Sequence, residues 1–413
     1  MFRKYGLFIA VFIILLAGFI VTLLNKYYTL DYLYNSLIKR DFAVNPRVDV
    51  NPDRVYEVRI WYFPFGRTID GLDEKEFFRE LKRVLQLSYP NIRLFTGKVD
   101  FATGHKKLME AIEEGVPPDI FFNLSDDFLI NEKLQLPVSP YILDLEKESY
   151  YTVNWNRISH RDRLWGWPVY VQEQSWIASK AANTGKYSLL AFGQKLAHLK
   201  ENSLLLNYYD DTLLKQLLTL TGIDTFKVEN GHLDIDTYRA LEEVFEGLYS
   251  LREKKILYKG PDEAPDIFLK ELMEGKEVVI GPVNPYLKKF IDNKLKGKIE
   301  YLKLDNLVQT YYLNIFRQKK YKGDDHTRAV MEVARILSQQ TAPAFAEKMG
   351  LKRAYSVQEE REGKGQVEGE VSPVREILVI HPDYKEYWEG VLFPAWLEFW
   401  ESELTPEEVM DRL

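Results

Sequence analysis

Trp165, Trp167, Tyr170, Gln172 and Glu173 crowd into one short stretch of the chain. Flat aromatic faces cover the apolar side of a pyranose ring, while amide and carboxylate groups beside them hold its hydroxyls. The chemistry on offer is non-covalent capture of a polar solute. The alternation of Trp165 and Trp167 equally suits plain packing of a hinge. A second candidate is Asn207-Tyr208-Tyr209, which follows an apolar strand and precedes the helix start Asp210-Asp211-Thr212. Strand ends that lead into helix N-termini are where α/β proteins meet ligands, although a tyrosine corner with a helix cap has the same pattern. Ser125-Asp126-Asp127 occupies the equivalent position after the strand Ile120 to Asn123. Asp126 there either accepts from ligand hydroxyls or caps a helix. Tyr311 and Tyr312 are neighbours on one strand and face opposite ways, so at most one reaches a cleft.

Bond-making chemistry finds little support. The six histidines fall in no HExxH or other close ligand spacing, and Asp324-Asp325-His326 reads as a helix start, so no metal or other cofactor is expected. There is no nucleophile elbow, phosphate-binding loop or dinucleotide fingerprint. With 62 acidic residues, carboxylate pairs of glycosidase type arise by chance, and nothing selects one. The chain has no cysteine, which removes disulfides, thiolate chemistry and a lipid-modified cysteine. A net charge of −7 spread along the chain argues against a nucleic-acid surface.

The elements that must position these groups begin after an apolar N-terminus. Arg3 and Lys4 precede an uncharged run from Gly6 to Leu24, which as a helix would span about 28 Å, close to the hydrocarbon thickness of a bilayer. No small-x-small cleavage site follows, so the run reads as an uncleaved anchor over residues 1–25, with a cleaved signal peptide as the alternative. Residues 26–54, aromatic at first and then holding Asn45-Pro46 and Asn51-Pro52, read as a juxtamembrane linker. From Val55 onward, alternating apolar segments and amphipathic helices follow one another. Val55 to Phe63 alternates like a strand, Phe77, Phe78, Leu81, Val84 and Leu85 make one helical face, and Ile92 to Val99 is a second strand. Gly104 to Ile120 reads as a helix closed by Gly115, stopped by Pro117-Pro118, and followed by the buried strand Ile120-Phe121-Phe122. This βαβαβ opening implies a doubly wound parallel sheet. A second α/β region follows, with strands at Ser203 to Leu206 and Val278 to Ile280 and helices at Leu213 to Leu220 and Thr237 to Arg252. Further amphipathic helices come at His326 to Ser338 and Pro343 to Met349. Trp388, Trp396 and Trp400 form a helical stripe that reads as lobe packing. At 413 residues the chain has length for two domains.

Lys107-Leu108, Ala111-Ile112, Gly115, Pro117-Pro118-Asp119 and Ile120 stand in the order found in the family 1 extracellular solute-binding proteins, the ligand receptors of ABC importers. The chain resembles that family, of the sugar-binding type, in further short blocks. These are Trp61-Tyr62-Phe63-Pro64-Phe65, Asp100 to Gly104, Leu164 to Tyr170, Glu271 to Pro282, and Pro394 to Leu413. It departs from the usual pattern at Ala178-Ser179-Lys180, Val283-Asn284 and Thr310-Tyr311, which are positions at or near the ligand.

The resemblance implies a two-lobe, periplasmic-binding-protein-like α/β fold of type II, each lobe a doubly wound sheet, behind an N-terminal transmembrane helix. Lobe I would comprise residues 55–170 and 301–350, and lobe II residues 171–300 and 351–413. It implies a non-enzymatic receptor held at the cell membrane with its globular part outside. Such a receptor captures a polar solute, an oligosaccharide first, by hinge closure and delivers it to ABC permease subunits. The expected contacts are Phe63, Phe65, Phe101, Asp126, Trp167, Tyr170, Gln172, Asn207, Tyr208, Asn284 and Tyr311. The rival readings are a ligand-sensing receptor that signals to a membrane partner, and an extracellular carbohydrate-active enzyme.

Overall fold

The computed structural model describes residues 28–39, 42–65, 74–124, 130–179, 201–257, 274–282, 299–355 and 375–413, with short breaks within these spans, and positions 12, 15, 16 and 18. The expected anchor thus lies almost wholly outside the described residues. Among those described, no helix is long and apolar enough to cross a membrane.

The chain enters through β1 (Tyr56–Tyr62), α1 (Glu74–Ser88), β2 (Ile92–Lys98), α2 (Gly104–Glu114), β3 (Ile120–Asn123) and the short β4 (Gln135–Leu136). β1 alternates buried and exposed residues. α1 buries the stripe Phe77, Phe78, Leu81 and Leu85 against it, as its periodicity requires. α2 ends where Gly115 takes a left-handed φ of 81°, with its N–H returned to Ala111 and Ile112 carbonyls. A side chain there would meet Lys319 at 2.7 Å, so both conformation and space call for glycine. β3 is buried along its whole length.

The long strand β5 (Trp167–Ser179) then carries the chain into a second unit of β6 (Leu204–Leu206), α3 (Thr212–Leu220), α4 (Ile235–Glu253) and β7 (Val279–Gly281). β8 (Ile299–Phe316) carries it back to α5 (Asp324–Ile336) and β9 (Lys352–Arg353), and the chain closes with β10 (Arg375–Glu376), α6 (Phe393–Glu401) and α7 (Pro406–Met410). The helix expected at Pro343 to Met349 is a short continuation of α5, through the turn Leu337–Thr341 into Ala342–Phe345.

Instead of a separate wound sheet for each lobe, the ten strands form one mixed sheet in the order β2-β1-β3-β8-β5-β7-β6, with β4 and β10 on β8 and β9 on β5. Two lobes arise because β5 and β8 are long enough to serve both. Their antiparallel register runs from Trp167 opposite Leu313 to Ser179 opposite Ile299, with an irregularity between Lys303 and Val308. The apolar cores separate at that irregularity. One holds Val58, Ile60, Phe122, Tyr170, Val171, Val308 and Leu313. The other holds Trp176, Ala178, Leu214, Phe245, Val279, Leu307 and Trp396.

Among the described residues, core membership changes along β5 from Val171 to Trp176, along β8 between Leu307 and Val308, and finally between Ala354, in the first core, and Ile377, in the second. The sequence reading put the lobe boundaries near 170, 300 and 350. β9 pairs with Val171 and Tyr170 of β5, which holds residues 351–354 beside the first core. The expected linker also differs in its second half, because Val44 and Val50 pack against the lobe I core.

Candidate functional site

β1, β2 and β3 run parallel, so the carboxyl ends of all three point the same way. The end of β3 at Asn123 lies level with Tyr312 of β8 and, through it, Pro168 of β5. In lobe II, β6 and β7 are parallel to each other. β7 runs against β5 with Ile280 opposite Ile177. Both sets of carboxyl ends thus face the middle of β5 from opposite sides, separated by roughly 30 Å of strand. In open α/β sheets the crevice beyond the carboxyl ends is where ligands sit. The floor of that gap is the crossing region of β5 and β8.

Along the floor the side chains form a buried polar series. On the lobe I side the Tyr311 hydroxyl donates to the Gln172 side-chain oxygen. Beyond the crossing, Gln174 donates to Gln309 Oε1 at 3.3 Å, Gln216 of α3 donates to Gln174 Oε1 at 2.9 Å, and Trp176 Nε1 donates to Gln216 Oε1 at 3.0 Å. Every member is buried. Burial is tolerable because each amide meets a partner of the opposite kind. Trp176 lies flat against the backbone of Gly281, where a Cβ would fall 2.1 Å from its ring. On the neighbouring strand position the Tyr312 hydroxyl donates to the Glu376 carboxylate at 2.6 Å. The two adjacent tyrosines thus serve different partners, as their alternation requires.

The lobe II wall stands where β6 ends. Tyr208 is half-buried, and its ring stacks on Trp400 at 4.7 Å between centroids and 10° between planes. Trp396 Nε1 donates to the Tyr208 carbonyl at 3.0 Å. Asp211, at the start of α3, accepts from Trp388 Nε1 at 3.0 Å and pairs with Lys215 at 2.8 Å. The turn after β6 is therefore held by two tryptophans of the C-terminal helices. Trp388 and Trp396 pack within lobe II, and Trp400 packs against Tyr208, Trp396 and Phe399.

Of the eleven expected contacts, Gln172, Tyr311 and Tyr208 come to the floor and wall of the gap. Phe101, Asp126, Asn207 and Asn284 lie outside the described residues. Four sit inside lobe I instead. Trp167 is fully buried and donates its indole N–H to Tyr150 Oη at 2.9 Å. Tyr170 is fully buried against Phe122, and burial pushes its hydroxyl far above the usual tyrosine range. Phe63 packs edge-on against Phe121, and Phe65 joins the cluster of Phe77, Phe78 and Phe122. β1 turns inward after Tyr62, so its last aromatics finish the core. Gln174, Trp176, Gln216 and Gln309 were missed. Their signal was the Gln172-x-Gln174-x-Trp176 alternation, which puts three polar-capable groups on one face of a strand.

No family model matches the sequence, and no curated protein matches it. Solved structures do match in shape. The maltose/maltodextrin-binding domain MalE from Bdellovibrio bacteriovorus bound to maltotriose is 15% identical, with a TM-score of 0.58 over 86% of this chain and 97% of that one. The sugar-binding protein MalE from Xanthomonas citri is 14% identical, with a TM-score of 0.65 over 86% and 94%. A cyclo/maltodextrin-binding protein complexed with maltotetraose is 14% identical, with a TM-score of 0.60 over 87% and 95%. The chain has the fold of the two-lobed sugar-binding receptors. The length of these solute-binding structures is covered almost entirely, so both lobes and the hinge between them are common to all.

Proposed function

We propose that this chain is a solute-binding protein of the ABC importer type that captures an oligosaccharide between its lobes and presents it to permease subunits. The observation that carries this reading is the opposition of two sets of strand carboxyl ends across a floor made by only two long strands. A solute touching both walls stabilises the arrangement in which they are close, and small backbone changes at the crossings move a whole lobe. Gln172 and Tyr311 on the floor and Tyr208 with Trp400 on the lobe II wall are the described groups suited to a sugar, amides and hydroxyls for its oxygens and stacked rings for its faces. Phe101, Asp126, Asn207 and Asn284, outside the described residues, complete the proposed contact set on their sequence positions alone. The uncharged run Gly6 to Leu24 supports tethering at the cell membrane, and the family resemblance favours lobes outside it; such a tether raises the receptor's effective concentration near its transporter.

The test is calorimetric titration with maltotriose, maltotetraose and xylo-oligosaccharides, with polyamines and peptides as contrasting solutes. The reading expects saturable binding of one saccharide per chain without turnover. Hydrolysis of the sugar would replace it with an enzymatic reading, and binding of a peptide alone would remove the saccharide.

A further inference from the structure

The segment before β1 is bound to lobe I rather than loosely strung from it. Arg54 grips both carboxylate oxygens of Asp325 at 2.7 and 2.9 Å and donates to the Lys322 carbonyl at 3.0 Å. Tyr56 donates to Asp325 at 2.8 Å. Asn91 holds the carbonyls of Asn51 and Arg54 at 2.9 and 2.7 Å. Phe42 packs edge-on against Tyr321, with centroids 5.0 Å apart, and the Arg317 guanidinium lies 3.9 Å over its ring. Ahead of this strap come the helical turns Leu30–Leu33 and Tyr34–Lys39. Tyr32 is half-buried there, and burial together with the Asp324 charge raises its hydroxyl above the usual range. Phe42, three residues beyond these turns, ties their end to lobe I through Tyr321 and Arg317.

Their outer side is bare. Leu37 is 70% exposed, Ile38 71%, and Tyr34 and Phe42 are exposed as well. The Lys39 ammonium lies over the Tyr34 ring at 5.3 Å, a cation–π contact that puts a positive charge beside the exposed apolar side chains. Arg47, Lys319 and Lys320 are exposed nearby on the strap and on the loop before α5, with Asp49 and Asp53 the exposed acids of the strap. Tyr28 is four residues from Leu24, within roughly 14 Å of extended chain, and Tyr34 is ten residues from it, within roughly 35 Å.

We propose that this pole of lobe I lies on the phospholipid surface, with Tyr34, Leu37, Ile38 and Phe42 in the interface, so that lobe I is the fixed lobe and lobe II the moving one. The proposal rests on the reading of Gly6 to Leu24 as a membrane anchor. Apolar side chains facing out from a short helix, an aromatic ring and a lysine beside them, and a membrane span immediately before them make up an interfacial segment. A second copy would explain the bare apolar side but not its position next to the apolar run.

The lack of native cysteine makes the test direct. The full chain is reconstituted in phosphatidylcholine–phosphatidylglycerol vesicles with one environment-sensitive fluorophore at Ile38→Cys, Lys320→Cys or Glu246→Cys, the last on α4 of lobe II. The proposal expects the Ile38 label to be shifted to the blue and quenched by spin-labelled lipid at least fivefold more than the Glu246 label. The Lys320 label should be quenched to an intermediate extent. Adding Leu37→Asp and Ile38→Asp should bring the Lys320 signal down to the Glu246 level while the protein still floats with the vesicles. Equal quenching at Ile38 and Glu246 in protein that floats would overturn the proposal and leave the anchor standing. Protein that does not float would end both.

Discussion

Replacing Gln216 by Leu should destabilise lobe II and loosen it from the hinge. In the folded chain the Gln216 amide answers two buried groups at once, accepting from Trp176 Nε1 at 3.0 Å and donating to Gln174 Oε1 at 2.9 Å. Gln216 itself has no exposed surface, so no water replaces it when it is gone. Leucine fills nearly the same volume but answers neither group. Each of the two buried polar atoms left without a partner costs about 1–3 kcal/mol, giving a loss of about 2–6 kcal/mol. For a unit of lobe size that lowers the melting midpoint by roughly 4–24 °C. The assay is thermal and urea unfolding followed by tryptophan fluorescence, with Trp176→Phe and the double variant completing a cycle. Because Trp176→Phe removes the donor that Gln216→Leu orphans, the double variant should be more stable than the sum of the singles by about 1 kcal/mol. A Gln216→Leu variant within about 0.5 kcal/mol of wild type, or a strictly additive cycle, would refute the idea that this amide series joins α3 to the hinge strands.

Gly281→Ala should cost more than about 2 kcal/mol in chemical denaturation, because the new methyl falls 2.1 Å from a fully buried Trp176 ring; a neutral variant would show that the ring can move. Tyr208→Ala should weaken saccharide binding at least tenfold in calorimetry on protein that still unfolds cooperatively, and unchanged affinity would remove the lobe II wall from the site. Stability should also depend on pH through His326. Burial holds its imidazole below the usual range despite the nearby Asp119 carboxylate. Its unfolded form therefore binds a proton first, so stability is full above an unfolded value of about 6.5 and falls as pH drops from there toward the folded value. His326→Gln should flatten this slope in melting midpoints taken from pH 5 to 8, and an unaltered slope would assign it to other groups.

The parts of the fold that could be read ahead were those whose local chemistry is decisive. The α2–β3 junction needs a left-handed residue, a helix stop and a buried strand, and Gly115, Pro117-Pro118 and Ile120 to Phe122 supply them in order. The crossings leave no local mark, because β5 runs from Trp167 to Ser179 without a break. Its alternation is the same on either side of the point where it leaves one core for the other. Only the partners, Phe122 around Tyr170 and Gln216 beside Trp176, distinguish the two halves, and both are distant in sequence. The same limit applies to the site. Alternation groups Tyr170, Gln172, Gln174 and Trp176 on one face, but depth along the strand decides which of them is sealed in lobe I and which lies at the floor. The strap was unreadable for a related reason, since Arg54 and Phe42 find their partners at Asp325, Arg317 and Tyr321, far along the chain.

The claim on which the rest depends is that a solute draws the two lobes together. Fluorophores at Lys82→Cys on α1 and Glu246→Cys on α4, both exposed, report the distance between lobes in single-molecule energy transfer. The account predicts a shorter and narrower distance distribution on saturation with a malto-oligosaccharide that binds in calorimetry. A bound saccharide that leaves the distribution unchanged would contradict it.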